Sequence, residues 1–236
     1  MKGKKLIAAG LLLAFILAVL AVPEVYAKNY NPGVLPPHSK VLGKTYGEWG
    51  DIWWNWAVVR PTATNPMYDQ TGENCDAEQS GHIWFLAGVG DPGGWAERTC
   101  AVPPGKFIFF PLVNTFFAAE EGGGERGKAK DFIDKVSILE CSIDGVPLQN
   151  LSSYRAESPD GGFVLTVPPD SLFTEFGAPA GDYAPAVSDG YWVMLAPLPV
   201  GQHVIYFRGL VGDPAAPDFE TEVTYNLTIV PPGKRK

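Results

Sequence analysis

Trp49, Trp53, Trp54 and Trp56 fall within eight consecutive positions. Indole faces bind sugar rings by matching flat apolar surface to C–H groups, so this density is compatible with a glycan site. At about 100° per residue in a helix, Trp49, Ile52, Trp53 and Trp56 share one face, with Val59 at its edge. A core-facing helix presents the same stripe. Trp54 and Val58, four apart, lie outside the stripe and are the candidate ligand contacts. Asp51 and Asn55 fall on the opposite face.

Glu120, Glu121 and Glu125 share a glycine-rich loop just after Asn114. Hard oxygen donors on such a loop can hold Ca²⁺, with Asn114, Glu120 and Glu121 as ligands. The spacing of an EF-hand is absent, and a solvated charged loop has the same composition. Asp69, Glu73 and Asp76 around Cys75 carry the same two readings. His38, His82 and His203 are dispersed, the last two on predicted strands. There is no HExxH, no GxSxG, no Walker glycine loop and no paired-His spacing. A Ser–His–Asp triad or a carboxylate pair is assembled in three dimensions and leaves no local pattern to read. Asn150-Leu151-Ser152 and Asn226-Leu227-Thr228 match the glycosylation acceptor pattern.

The elements that must position these residues are few in kind. Thr45 can cap a helix, with Glu48 three residues on closing a capping box. Arg60 followed by Pro61 ends it, which predicts a helix over residues 45–60. After Pro61 the chain reads as short strands between turns. Residues 82–86, 99–102, 106–113, 136–143 and 163–167 are apolar or alternating runs. Residues 128–135 form a short helix with Phe132 and Ile133 inward. Residues 191–195 and 202–210 flank the turn at Pro197 to Gly201. Val223, Tyr225, Leu227 and Ile229 then alternate with Glu222, Thr224, Asn226 and Thr228, as in a strand buried on one face. Many short strands, frequent Gly and Pro turns and little helix predict an all-β chain: an antiparallel β-sandwich, jelly-roll or Ig-like, with one Trp-rich N-terminal helix. It would occupy residues 45–232 behind an extended lead-in at 28–44, with a basic tail at 233–236. A division near Gly127 with an Ig-like second half is the alternative.

Lys2, Lys4 and Lys5 precede an uncharged apolar run from Leu6 to Val22, a Pro23 break and a Val25-Tyr26-Ala27 cleavage pattern. This is the layout of a secretory signal over residues 1–27, with an uncleaved anchor as the alternative. Cleavage leaves no stable membrane span. Export makes a disulfide permissible. Cys75 and Cys100 follow polar stretches, whereas Cys141 alternates with Leu139 and Ile143 on an inner strand face. Cys75 is therefore paired with Cys100 and Cys141 left as a buried thiol, three free thiols being the alternative. The net charge of −8 and pI near 4.9 argue against a nucleic-acid partner, which requires a basic stripe.

Three stretches carry a resemblance. The first is Trp49 to Arg60 with its Trp53-Trp54-x-Trp56 core. The second runs from Asn65-Pro66 through Asp69-x-Thr71-Gly72-x-x-Cys75 to Trp84-Phe85-Leu86-Ala87-Gly88. The third is Arg98-x-Cys100-x-Val102-Pro103-x-Gly105-Lys106, continuing through Phe109-Phe110-Pro111 to Asn114. Together they resemble a widespread family of exported bacterial and archaeal proteins with no established activity. The resemblance supports the Cys75–Cys100 pairing and implies no catalytic residue.

The expectation is an exported extracellular or cell-surface protein, periplasmic in a diderm host. It would be a non-enzymatic binding or structural module with a glycan or matrix polymer as partner. One rival is a secreted hydrolase with a loop-built, metal-assisted site. The other is a filament subunit whose lead-in adds a strand to a neighbour's sheet.

Overall fold

The computed structural model describes residues 31, 33–90, 94–119 and 122–230. The signal segment 1–27, the basic tail 233–236, Glu120 and Glu121 lie outside the described residues. In chain order the elements are α1 (Tyr46–Ala57), β1 (Ile83–Phe85), β2 (Gly94–Val102), β3 (Phe107–Ala118) and α2 (Glu125–Ile133). They continue with β4 (Val136–Ile143), β5 (Val146–Pro147), β6 (Arg155–Glu157), β7 (Phe163–Val167) and α3 (Leu172–Glu175). The long strands β8 (Gly181–Leu195), β9 (Gly201–Asp213) and β10 (Ala216–Ile229) complete the chain. The chain is mostly strand. One sheet has the order β1-β3-β8-β6, with β7 also on β8, and the other has β2-β10-β9-β4-β5. Each sheet draws strands from both sides of Gly127.

The expectation of purely antiparallel sheets is corrected, because both are mixed. β1 runs parallel to β3, and β2 runs parallel to β10 in a nine-residue register from Gly94–Thr221 to Val102–Ile229. The reason lies at Pro103-Pro104-Gly105. This turn carries the chain from the second sheet to the first, so β2 and β3 are neighbours in sequence but not in hydrogen bonding.

The middle of the first sheet, the first half of β3 and the end of β8, is buried on both faces. Phe109 stacks on Trp192 at 5.1 Å, and Trp192 meets Trp53 of α1 at 5.7 Å. The adjacent Phe110 points the other way and stacks on Phe207 of β9 at 5.1 Å. A strand covered on both sides must be apolar at every position, and Phe107 to Val113 and Tyr191 to Leu195 are. The second sheet turns its far face to solvent, so β10 alternates buried and half-exposed residues from Thr221 to Ile229.

Helix α1 begins as its sequence dictates. Thr45 accepts from the Glu48 amide, and the Glu48 carboxylate accepts from the Thr45 amide at 2.7 Å. It ends at Ala57, three residues before Arg60, where Asn65 caps it by donating to the Ala57 and Arg60 carbonyls at 2.8 and 3.0 Å. Gly47 and Gly50 let it lie against the sheet, since a Cβ on Gly47 would sit 2.0 Å from the Glu157 carbonyl oxygen. The helix is covered on the face opposite its tryptophan stripe as well. Asp51 is buried there and accepts from the Ser158 and Ser188 hydroxyls.

The described part of the lead-in is held by its own chain. Val34 bridges Leu195, and the Leu35 amide donates to Met194 at 2.9 Å, extending the side of β8 that β6 and β7 cover. Cys75 and Cys100 form a disulfide, and Cys141 is free and buried. The Thr99 amide donates to Thr71 at 2.8 Å, so the bonded loop covers the outer edge of β2 and leaves less of it open to another chain.

Candidate functional site

Beside α1 the chain builds two loops on one buried cation. Arg98 of β2 is 1% exposed. Its Nε donates to the Asp69 carbonyl at 2.6 Å and its Nη atoms to Ala87 at 2.7 Å and Gly88 at 3.2 Å. It also donates to the Tyr225 hydroxyl at 2.7 Å and lies 5.4 Å from the Tyr225 ring centroid. A guanidinium carries five N–H donors in a fixed fork, so it can collect carbonyls from several directions. Thr221 of β10 accepts from the Val89 amide at 2.8 Å, and the Gly90 amide donates to Met67 at 3.0 Å. The segments 67–69 and 86–90 are thus fixed to β2 and β10 and to each other.

These loops, α1, β3, α3 and the start of β10 enclose a cavity of about 260 Å³. Strand β1 pairs only with Phe107–Phe109 of β3, and beyond it Asn114 and Phe116 of β3 line the cavity. Trp53 and Trp54 enter from α1, and Phe173 and Phe176 from α3 and the residue after it. Phe132 of α2 and Phe219 of β10 add further rings. Trp54 packs against Phe116 at 4.5 Å and edge-on to Trp53 at 5.0 Å. No charged side chain is among the described residues that line it.

Hydrogen-bond accounting separates Trp54 from its neighbours. Trp49 Nε1 donates to the Val41 carbonyl at 3.0 Å, Trp53 Nε1 to Leu86 at 2.9 Å and Trp56 Nε1 to Ala77 at 2.9 Å. Those three indoles pin the lead-in, the segment after β1 and the disulfide loop to one helix. Trp54 Nε1 is buried and donates to nothing among the described residues, and neither does the buried Asn114 Nδ2. Trp84 Nε1 and Arg60 Nε share that state, but only Trp54 and Asn114 line this cavity. Each such group costs about 1–3 kcal/mol of unreplaced hydration, and both belong to residues that line this cavity.

The structure brings Trp54 and Asn114 together, although the sequence assigned them to different chemistries. Val58 is wholly buried in the core and does not line the cavity. Glu120 and Glu121 lie outside the described residues. Among the described residues no three His, Cys, Asp or Glu side chains cluster as metal ligands would. His203 of β9 bonds Asp144 at 2.8 Å and the Pro199 carbonyl at 2.9 Å, and His38 and His82 are exposed. Asp51 has its pKa raised to about 6 by burial, which the Ser158 and Ser188 hydroxyls partly offset. Ser158 and Ser188 are 1% and 0% exposed, without the access a nucleophile needs. Asn150 is exposed, while Asn226 donates to Glu97 at 3.0 Å on the outer sheet face. Phe173, Phe176 and Phe219 gave no sequence signal, because only the folded chain places them beside Trp54.

No protein-family model, curated protein or solved structure matches the chain, so the resemblance read from the sequence assigns no family.

Proposed function

We propose that this chain is an exported, non-enzymatic binding protein. In this reading its two sheets form a sandwich, and its ligand site is the cavity between α1, β3 and α3. The observation that carries the reading is the pair of unpartnered donors, Trp54 Nε1 and Asn114 Nδ2, within a wall of aromatic rings. Apolar walls supply affinity and a few convergent polar groups fix orientation. A small, largely apolar ligand with a hydrogen-bond-accepting oxygen suits that lining. The cationic, apolar start of the sequence and the Cys75–Cys100 bond support export.

The test is a thermal-shift screen of small aromatic and aliphatic alcohols, ketones and esters. It is followed by NMR of the Trp54 indole N–H during titration of the best compound. Binding should move that resonance, and Trp54→Phe should weaken binding about five- to tenfold, the worth of one buried hydrogen bond. A panel in which nothing stabilises the protein and the resonance stays still would remove the reading. Export is checked by sequencing the secreted protein, which should begin at Lys28.

A glycan or matrix polymer is the second reading, and a different tryptophan favours it. Trp95 on β2 is 69% exposed and offers the flat accessible ring that sugar stacking needs, which Trp54 at 9% does not. Glycan-array binding abolished by Trp95→Ala and untouched by Trp54→Phe would select it.

A further inference from the structure

The cavity has a neighbour. A second one, of about 250 Å³, lies between the end of β3, β7, α3 and β8. The two have Phe116 and Phe173 in common, and these rings meet edge to face at 5.4 Å. The two spaces therefore meet at this pair of aromatic residues. Phe173 sits on α3, a single turn, and is half-buried. That turn is anchored on either side of Phe173 by buried Leu172 and by Glu175, which accepts from Thr62 at 2.7 Å.

The two spaces differ in polarity. The first is lined by Trp54 and Asn114, whose Nε1 and Nδ2 are buried in its wall and unpartnered among the described residues. The second is walled by Phe117, Ala118, Leu165, Val167 and Ala178, and its one hydroxyl, on Tyr183, already donates to the Pro179 carbonyl at 2.7 Å. Neither lining contains a charged side chain among the described residues. A carboxylate placed here would exchange its hydration for two neutral N–H groups and no counter-charge, which is unfavourable.

From this we infer that the two cavities are the halves of one site for a neutral single-chain amphiphile, a ligand with an alcohol, ester or ketone head and an unbranched alkyl chain. Small rotations of the Trp54 and Asn114 side chains turn their N–H groups to the head oxygen, and the chain passes between Phe116 and Phe173 into the second cavity. Rotation of the Phe173 side chain to another staggered position opens the way without moving backbone. This inference rests on the binding reading above and adds the class of ligand.

The experiment titrates 1-hexanol, 1-decanol and decanoate into the full chain at pH 7 by calorimetry, with the Trp54 indole resonance followed in parallel. A chain that continues into apolar space gains about fourfold in affinity per methylene, so 1-decanol should bind on the order of a hundredfold tighter than 1-hexanol. Decanoate should bind at least tenfold more weakly than 1-decanol. Ala178→Trp fills the second cavity and should reduce the ratio of 1-decanol to 1-hexanol affinity to about one. Ala118→Phe makes the same comparison from the β3 side should the first variant fold poorly. Equal affinities for the two alcohols in the unaltered protein would overturn the joined site and leave the single-cavity reading standing. A preference for decanoate would overturn the neutral head. Failure of both alcohols would overturn this inference, and the binding reading itself falls only if its wider screen also fails.

Discussion

Arg98 and Trp54 are buried nitrogen donors beside the same two loops. Met67 and Gly88 give their carbonyls to Arg98 and also line the cavity that Trp54 enters. Around Arg98 the polar accounting closes, with acceptors at Asp69, Ala87, Gly88 and Tyr225. Around Trp54 it stays open, with Trp54 Nε1 and Asn114 Nδ2 both unpartnered among the described residues. A saturated buried group holds a fold together, because removing it strands everything it touched. An unsaturated one contributes little to folding and fits a group held available for something else.

That contrast can be attacked from its strong side first. Arg98→Ala takes the donor from the Asp69 and Gly88 carbonyls, one in each loop, and should cost about 4 kcal/mol in chemical denaturation, among the larger effects of a point change. A loss under about 1 kcal/mol would mean the loops hold themselves. The tryptophans of α1 come next. Trp53→Phe removes the donor to Leu86 and leaves a gap in the core, at a cost of about 2–3 kcal/mol. Trp54→Phe removes a donor that bonds nothing and should cost under about 1 kcal/mol while weakening ligand binding. Equal losses from the two would erase the distinction.

Asp51 provides a smaller effect with a defined sign. Its folded pKa, raised to about 6 from 3.8, means the native state holds the extra proton between those values. Stability should therefore fall as pH rises through that window, by about 1–2 kcal/mol, and Asp51→Asn should flatten the slope. The hydrogen bonds that hold the Asp69 and Asp144 carboxyls below their ordinary range act in the other direction and at lower pH. Their contribution is lost only as pH falls below about 4. An equilibrium urea series from pH 4 to 7 with both proteins decides it. Least affected should be Asn114→Leu, within about 1 kcal/mol of the parent, since it deletes an amide nitrogen that nothing uses. A loss of 3 kcal/mol there would place Asn114 on the structural side.

What the sequence discloses follows from how many layers touch each segment. β10 has one buried face, so its alternation declares it. The Thr45–Glu48 cap and the Cys75–Cys100 pair are also settled by local chemistry. β3 and β8 are covered on both faces, so their apolar runs announce strands but hide which side chain faces which layer. The same double coverage buries Asp51, which a helical wheel places opposite the tryptophans without saying what lies there. The parallel pairing of β2 with β10 joins residues more than a hundred positions apart and leaves no local trace. The cavity was half legible: Trp54 stood out because it left the stripe, and Asn114 stood out for a different chemistry. Nothing short of the folded chain could join them to Phe173 and Phe219.

The register of β2 on β10 imposes an order in time. A polypeptide emerging from its first residue has Cys75 and Cys100 both available after fewer than half its residues, and an oxidant can link them then. The partner of β2, however, is the last strand to appear. The second sheet must wait for the whole chain, and the loop that will guard its border can be knotted in advance. Pairing across such a span is slow to find, so a stretch of unfinished backbone persists through most of the birth of this molecule. A polypeptide that has to be threaded through a narrow passage before it sets would benefit from that delay.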